Sequence, residues 1–287
     1  MMRSFLFVPA DSERKLQKAG DVGADALILD LEDSVAADAR PEARILAREY
    51  LAGKENIWVR INPIDSADAA ADLEAVMPSA PAGIVLPKPR SAAAAIELDE
   101  RLSALESEHG IEPGSTRILP LCTEHPEALF TLNSYIGATD RLMGLTWGAE
   151  DLSAALGAAS NREEDGNWLP TYEMARSFCL LAAAAAEVAA IDTVFTDFND
   201  TAGLRRYASN ARRDGFAGML AIHPAQVETI NAAFQPTAQE LERATLIVEL
   251  FAANPGAGVI GLDGEMFDRP HLVQARRLLA MAQNVKT

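Results

Sequence analysis

Short apolar runs, rich in β-branched and aliphatic residues, recur along the chain and alternate with longer segments of helical period. The runs lie at 4–8, 26–31, 57–61, 83–86, 117–121, 142–146, 193–196 and 218–222. Most are almost continuously apolar, as strands are when both faces of a parallel sheet are covered. Between them, 12–19, 39–51, 91–109, 172–190 and 201–213 place apolar residues at helical spacing and charged residues on the outer faces. Strand followed by helix, repeated around eight strands, predicts a closed TIM (β/α)8 barrel; an open doubly wound sheet is the main alternative. Past the eighth run, 224–234 and 237–253 read as helices. A glycine-rich loop at 254–268, Asp263 within it, and a last helix opening at Pro270 complete the chain. The expected division is therefore a barrel over residues 1–235 and a C-terminal helical extension over 236–287 that covers the barrel mouth or reaches a neighbouring subunit.

Composition narrows the class. The 287 residues are 49% hydrophobic and 23% charged, enough for a sizeable core, and barrels of roughly 250 residues fold as one unit. The net charge of −17, with no block of Lys and Arg, argues against nucleic acid and anionic membrane surfaces. Two cysteines, Cys122 and Cys179, outside any C-x-x-C pair, suggest a reducing, cytoplasmic setting. The first residues carry too short an apolar run for a secretory leader. The longest apolar stretch, 178–186, is about half a membrane span.

Chemistry is expected where barrel strands end. The residues there are Pro9 and Asp11; Asp30, Glu32 and Asp33; Arg60 and Asn62; Lys88; Glu124; Glu150 and Asp151; Asp197; and His223. Any one of them could be an ordinary polar strand stop. Together they would form a ring in which neighbouring carboxylates raise one another's pKa, and a bound cation relieves that repulsion. Carboxylate oxygens suit Mg²⁺, with Mn²⁺ as an alternative, and no histidine pair has zinc spacing. Glu124 and Asp151, from adjacent strands five and six, are the expected metal ligands. Arg60, on strand three, can clamp a carboxylate or thioester oxygen with its planar fork.

Other chemistries leave weaker traces. Lys88 at a strand end could form a Schiff base, although it equally supplies positive charge near the carboxylates. Gly256-Ala-Gly-Val-Ile-Gly261 matches G-x-G-x-x-G in letters only, since it follows a helix and opens no βαβ unit. No G-x-S-x-G elbow is present. Arg14 and Lys18 are one turn apart on a surface helix, ordinary spacing for a solvated face. Trp147 reads as packing, and His223 before Pro224 as a helix cap. A barrel that binds without turnover is the non-enzyme alternative.

The chain resembles the HpcH/HpaI aldolase and citrate lyase β-subunit family over nearly its whole length. The resemblance runs through Arg3-Ser-Phe-Leu-Phe-Val-Pro9, Leu29-Asp-Leu-Glu-Asp33, Val59-Arg-Ile-Asn62, Leu86-Pro-Lys88, Gly148-Ala-Glu-Asp-Leu152, Asp197-Phe-Asn-Asp200 and Ala221-Ile-His-Pro224. It implies a TIM barrel assembled as a homotrimer or hexamer, with Mg²⁺ on Glu124 and Asp151 and Arg60 as substrate clamp. It implies thioester substrates of coenzyme A such as citryl-, citramalyl- or malyl-CoA, cleaved to acetyl-CoA and a 2-oxo acid. Alternatives within the resemblance are a citrate lyase β subunit acting on an acyl-carrier-protein thioester, and a malyl-CoA thioesterase or malate synthase-like activity. Arg14 and Lys18 would approach the CoA phosphates. Phe7, Ile222 and His223 would line the substrate site. Asp268, in Gly264-Glu-Met-Phe-Asp268, would be the catalytic acid/base, with Glu32 and Asp33 as lesser candidates that hold metal-bound water. Two departures stand out. Glu124 sits in Cys122-Thr-Glu-His125, where many β subunits read isoleucine-glutamate-threonine-alanine. Phe7 stands where some relatives have tyrosine.

Overall fold

The structure, a computed structural model, describes residues 2–262 and 264–284. Asp263, expected in a loop, lies outside the described residues. In chain order the elements are β1 (Ser4–Pro9), α1 (Glu13–Ala19), β2 (Ala26–Asp30), α2 (Arg40–Leu51), β3 (Ile57–Arg60), α3 (Ala67–Val76), β4 (Gly83–Leu86), α4 (Ala93–His109) and β5 (Arg117–Pro120). They continue as β6 (Gly144–Thr146), α5 (Ala149–Leu156), α6 (Pro170–Ala185), β7 (Ala189–Asp192), α7 (Thr201–Asp214), β8 (Gly218–Ala221), α8 (Val227–Phe234), α9 (Ala238–Ala253), β9 (Val259–Leu262), β10 (Glu265–Asp268) and α10 (Arg269–Asn284).

Eight strands form one parallel sheet in the order β5-β4-β3-β2-β1-β8-β7-β6. Its two edges meet. Parallel bridges join Ile118 to Leu142 and Leu121 to Thr146, and the Cys122 amide donates to the Thr146 carbonyl at 2.8 Å. Closure leaves no sheet edge, and the expected TIM barrel is what forms. Strand periodicity sends alternate residues inward. Phe5, Ile28, Trp58, Val85, Leu119, Leu121, Ile191 and Leu220 share the interior cluster. Gly83 is required there, because a Cβ at that position would stand 2.3 Å from the Trp58 ring.

Two sequence expectations fail. The seventh strand is Ala189–Asp192, not 193–196. The Ala-rich helix before it ends at Ala185 instead of running to 190, and Glu187 adopts φ +57, which breaks helical continuation. The strand-seven end is therefore Asp192, fully buried, whereas Asp197 is exposed. The segment 254–268, expected as loop, contains an antiparallel pair in which Val259 faces Asp268 and Leu262 faces Glu265.

The chain divides into two compact units, residues 2–233 and 234 onward. The first is the barrel. In the second, Ala244, Ile247, Phe251, Phe267 and Ala275 form a core of their own beneath α9, α10 and the β9–β10 pair. The α9 start carries a capping box, in which Thr237 and Glu240 exchange side-chain to backbone bonds. Among the described residues no helix is long and apolar enough to cross a membrane.

Candidate active site

The site grows from the sheet register. Asp30 lies opposite Arg60 where β2 pairs with β3. Two residues earlier on each strand, Ile28 and Trp58 belong to the interior cluster, so Asp30 and Arg60 form the next layer, at the C-terminal mouth. Arg60 donates to Asp30 through Nε at 2.7 Å and Nη2 at 2.6 Å, a two-point pair. Burial pushes the Asp30 carboxyl up, but the Arg60 bonds outweigh it and hold it below the usual carboxylate range. Burial likewise opposes the Arg60 charge, and Asp30 and Glu32 outweigh it, so the guanidinium stays charged. The guanidinium carbon sits 4.8 Å from the centre of the half-buried Phe7 ring. Asp30 thus occupies one edge of the Arg60 fork, and a substrate oxygen would have to use Nη1 and the remaining Nη2 hydrogen.

Glu32 sits just beyond β2, buried. Its Oε2 lies 3.0 Å from Arg60 Nη1 without the alignment of a hydrogen bond, and it accepts none. Burial is the main reason the Glu32 carboxyl lies above its ordinary range, against the attraction of Arg60 and Lys88. Glu124 follows β5 and is also buried. It accepts the Lys88 amide on Oε2 at 2.6 Å. Burial, then repulsion from Asp151, raises its carboxyl well above the ordinary value. Gly148 makes room for it, since a Cβ at residue 148 would meet Glu124 Cγ at 2.8 Å and Oε1 at 3.2 Å. Asp151 comes from the first turn of α5 and is partly exposed.

Lys88 joins these acids. Its ammonium contacts Glu32 Oε1, Asp33 Oδ2 at 2.8 Å and Asp151 Oδ1 at 3.3 Å. Burial works against its charge, but the acids prevail and hold the amine above its usual value. A Schiff-base lysine needs the opposite, a depressed pKa, so the geometry disfavours that role. His125 lies next to the site, its basicity lowered first by burial and then by Arg90 and Lys88.

Arg60, Glu124, Asp151 and Lys88 are therefore brought together at one mouth of the barrel, with Phe7 beneath Arg60. Arg14 and Lys18 project from exposed positions on α1. Ile222 and His223 are exposed beyond β8. His223 does cap the following turn, its Nδ1 accepting the Ala225 amide at 3.2 Å, and its ring stacks on Phe198 at 4.8 Å. Asp268 lies in the second unit, where its Oδ1 is 2.6 Å from Nδ1 of His271. That partner went unread in the sequence, although its i,i+3 spacing at a helix start is a usable signal. Also unread were Gln226, which takes the Ile222 amide at 2.9 Å and donates to the Phe195 carbonyl at 2.7 Å, and Asp192. Asp192 accepts Trp147 Nε1 at 2.7 Å and Arg176 Nη2 at 2.7 Å, and so fixes the strand-six end. Trp147 itself is packing, fully buried.

The acids at this mouth are hard-oxygen donors of the kind a divalent ion takes. Among the described residues no group of three or more His, Cys, Asp or Glu side chains is arranged around a common point that could hold one. Mg²⁺ does not require such a group, because it keeps several waters and takes one or two carboxylates. Two hard-oxygen donors from adjacent strand ends, a raised Glu124 and an orphaned buried Glu32 Oε2 fit that description.

Residues 3–224 match the family described as HpcH/HpaI aldolase/citrate lyase. The chain belongs to this family. Among its relatives is the citrate lyase subunit beta-like protein of Mycobacterium tuberculosis, 36% identical over 97% of this chain and 94% of that one. Another is a (3S)-malyl-CoA thioesterase of Cereibacter sphaeroides, 35% identical over 99% of this chain and 95% of that one. The solved structure of CitE from Mycobacterium tuberculosis in complex with magnesium, acetoacetate and coenzyme A superimposes with a TM-score of 0.83 at 35% identity, covering 98% of both chains. With family membership the expectation of a lyase stands.

Proposed function

We propose that the protein is a Mg²⁺-dependent carbon–carbon lyase that cleaves, or forms, a 3-hydroxy-dicarboxyl thioester of coenzyme A, with acetyl-CoA and a 2-oxo acid on the other side. The observation that carries this is the convergence of Glu124, Asp151 and Arg60 at one barrel mouth. The magnesium and coenzyme A bound by the related CitE support it. Glu124 and Asp151 would hold the ion. A bound Mg²⁺ would polarise the hydroxyl or carbonyl oxygen of the acid half.

The chain's own residues account for the rest. In cleavage the Asp268 carboxylate would take the hydroxyl proton, the carbon–carbon bond pair would move to the thioester α-carbon as the hydroxyl carbon becomes a carbonyl, and the same carboxyl would return the proton to the α-carbon. Arg60 Nη1 faces the acids and is the donor available to the thioester oxygen as negative charge develops there. Phe7 supports the guanidinium from below and offers no hydroxyl of its own. Asp268, with His271 Nδ1 at 2.6 Å, is the acid/base pair. In a homotrimer or hexamer this pair serves a neighbouring barrel. Arg14 and Lys18 meet the CoA phosphates, and Ile222 and His223 line the acyl path.

The test is a panel of citryl-, citramalyl- and malyl-CoA, with Mg²⁺ and with EDTA, scored for acetyl-CoA release. Release in Mg²⁺ alone is expected for one or more of them, and no release from any would refute the reading. A second reading, thioester hydrolysis, is favoured by the likeness to the malyl-CoA thioesterase. It predicts free CoA in place of acetyl-CoA. Activity only on an acyl-carrier-protein thioester would instead mark a subunit of a citrate lyase complex.

A further inference from the structure

Lys88 touches both proposed metal ligands in different ways. Its main-chain amide donates to Glu124 at 2.6 Å, and its ammonium stands 3.3 Å from Asp151. The backbone makes this double reach possible. Lys88 lies between Pro87 and Pro89 and has φ +53, a left-handed conformation that costs a lysine energy. A residue before proline is normally driven to extended conformations, so the strain is doubly specific. Strain of this kind persists only where surrounding contacts enforce it, and here the contacts are four carboxylates: Glu32, Asp33, Glu124 and Asp151.

Charge then sets the consequence. Five acids (Asp30, Glu32, Asp33, Glu124 and Asp151) face two cations, Arg60 and Lys88. Arg60 is taken up by Asp30 and Glu32, so Lys88 is the cation that meets Asp151. An ammonium and a divalent ion cannot both take the same carboxylate oxygens without loss. Resting on the metal reading above, we infer that Lys88 is a positioning residue that orients Glu124 through its amide and competes with the divalent ion for Asp151 through its ammonium. When the ion binds, Asp151 is released from Lys88, which keeps Glu32 and Asp33. Its strained backbone holds the Glu124 contact throughout. Lys88 thereby keeps the acids together before the ion arrives and limits how tightly the ion is held.

The test measures Mg²⁺ affinity by titration calorimetry, without substrate, on wild type, Lys88→Met, Lys88→Gly, Asp151→Asn and the two double variants with Asp151→Asn. Both single Lys88 variants retain a backbone N–H at position 88, and glycine accepts φ +53 without strain, so loss of the Glu124 contact or of folding in Lys88→Met is covered by Lys88→Gly. Removing the ammonium should tighten Mg²⁺ binding about tenfold, because the ion then no longer has to displace a cation from the Asp151 carboxylate. The gain should vanish in the Asp151→Asn background. A residue with only a structural role would weaken binding when removed, the opposite sign. Unchanged or weaker binding in both Lys88 variants would overturn the inference, as would the same tightening with Asp151→Asn. Wild type binding Mg²⁺ with an affinity that Asp151→Asn leaves unaltered would instead overturn the metal assignment, and the inference with it.

Discussion

Two arginines, Arg141 buried and Arg60 partly so, hold opposite kinds of network. Arg141 precedes β6 and gives Nη1 and Nη2 to Glu106 at 2.7 Å each, Nη1 to the Thr116 carbonyl at 3.1 Å, Nη2 to Ser103 at 2.9 Å, and Nε to Asp99. Glu106 also takes the amides of Gly114 at 2.8 Å and Thr116 at 3.0 Å. Burial alone would push the Glu106 carboxyl up, yet these partners bring it down to about 2. Arg60, at the barrel mouth, is hydrogen-bonded on one edge only, to Asp30, while Glu32 stands 3.0 Å from Nη1 without alignment. Beside it Glu32 Oε2 accepts nothing, and both Glu32 and Glu124 lie above the carboxylate range. A network that only supports the fold closes its bonds and stabilises its charges. The mouth leaves acceptors and donors open, at an energetic cost, which is what a site awaiting a cation and an anionic substrate requires.

That contrast can be broken from either side. The largest effect belongs to the mouth. Glu124→Ala and Asp151→Ala should each lower kcat/KM for the active thioester by at least about 10³-fold, the scale of a lost Lewis acid. Their melting temperatures should stay near wild type, because each removes charge that is poorly compensated. Next, Glu106→Ala should cost about 3–5 kcal/mol in denaturant unfolding, the penalty for stranding a buried guanidinium, with activity per folded molecule unchanged. The same pair sets acid stability. The Glu106 carboxyl is lowered in the folded protein, from an ordinary 4.5 to about 2, so its contribution is complete above about pH 4.5 and is lost as the pH falls toward 2. Glu106→Gln should flatten the stability profile in that window, read as melting temperature against pH. Arg60→Lys should lower kcat/KM about 10²-fold, since an ammonium cannot hold Asp30 at two points and still donate to substrate. Gly148→Ala should give the smallest effect, a fall of about tenfold in kcat as its Cβ displaces Glu124.

Most of the barrel was legible because its strands are apolar on both faces. The seventh failed for a physical reason. Ala189–Asp192 is half alanine and follows closely on an Ala-rich helix, while β-branched Thr193 and Val194 come directly after it. The strand is defined instead by its ladder to β6 and by Asp192, whose buried carboxylate gathers Trp147, Arg176 and Tyr207. The β9–β10 pair was hidden by glycines that resemble a loop. In the candidate site, Arg60, Glu124, Asp151 and Lys88 were readable one at a time as polar ends of apolar runs. Their arrangement was not. That Asp30 takes one edge of Arg60 depends on the β2–β3 register, and that Lys88 reaches Asp151 depends on a left-handed φ between two prolines. Neither leaves a periodic signal in the chain.

The metal assignment is tested most directly by stripping wild type and Glu124→Ala with chelator and titrating Mg²⁺ back while acetyl-CoA release is followed. Stripped wild type should be inactive and recover fully with Mg²⁺, whereas Glu124→Ala should stay inactive at every concentration. Full activity of Glu124→Ala in chelator-treated buffer would contradict that assignment.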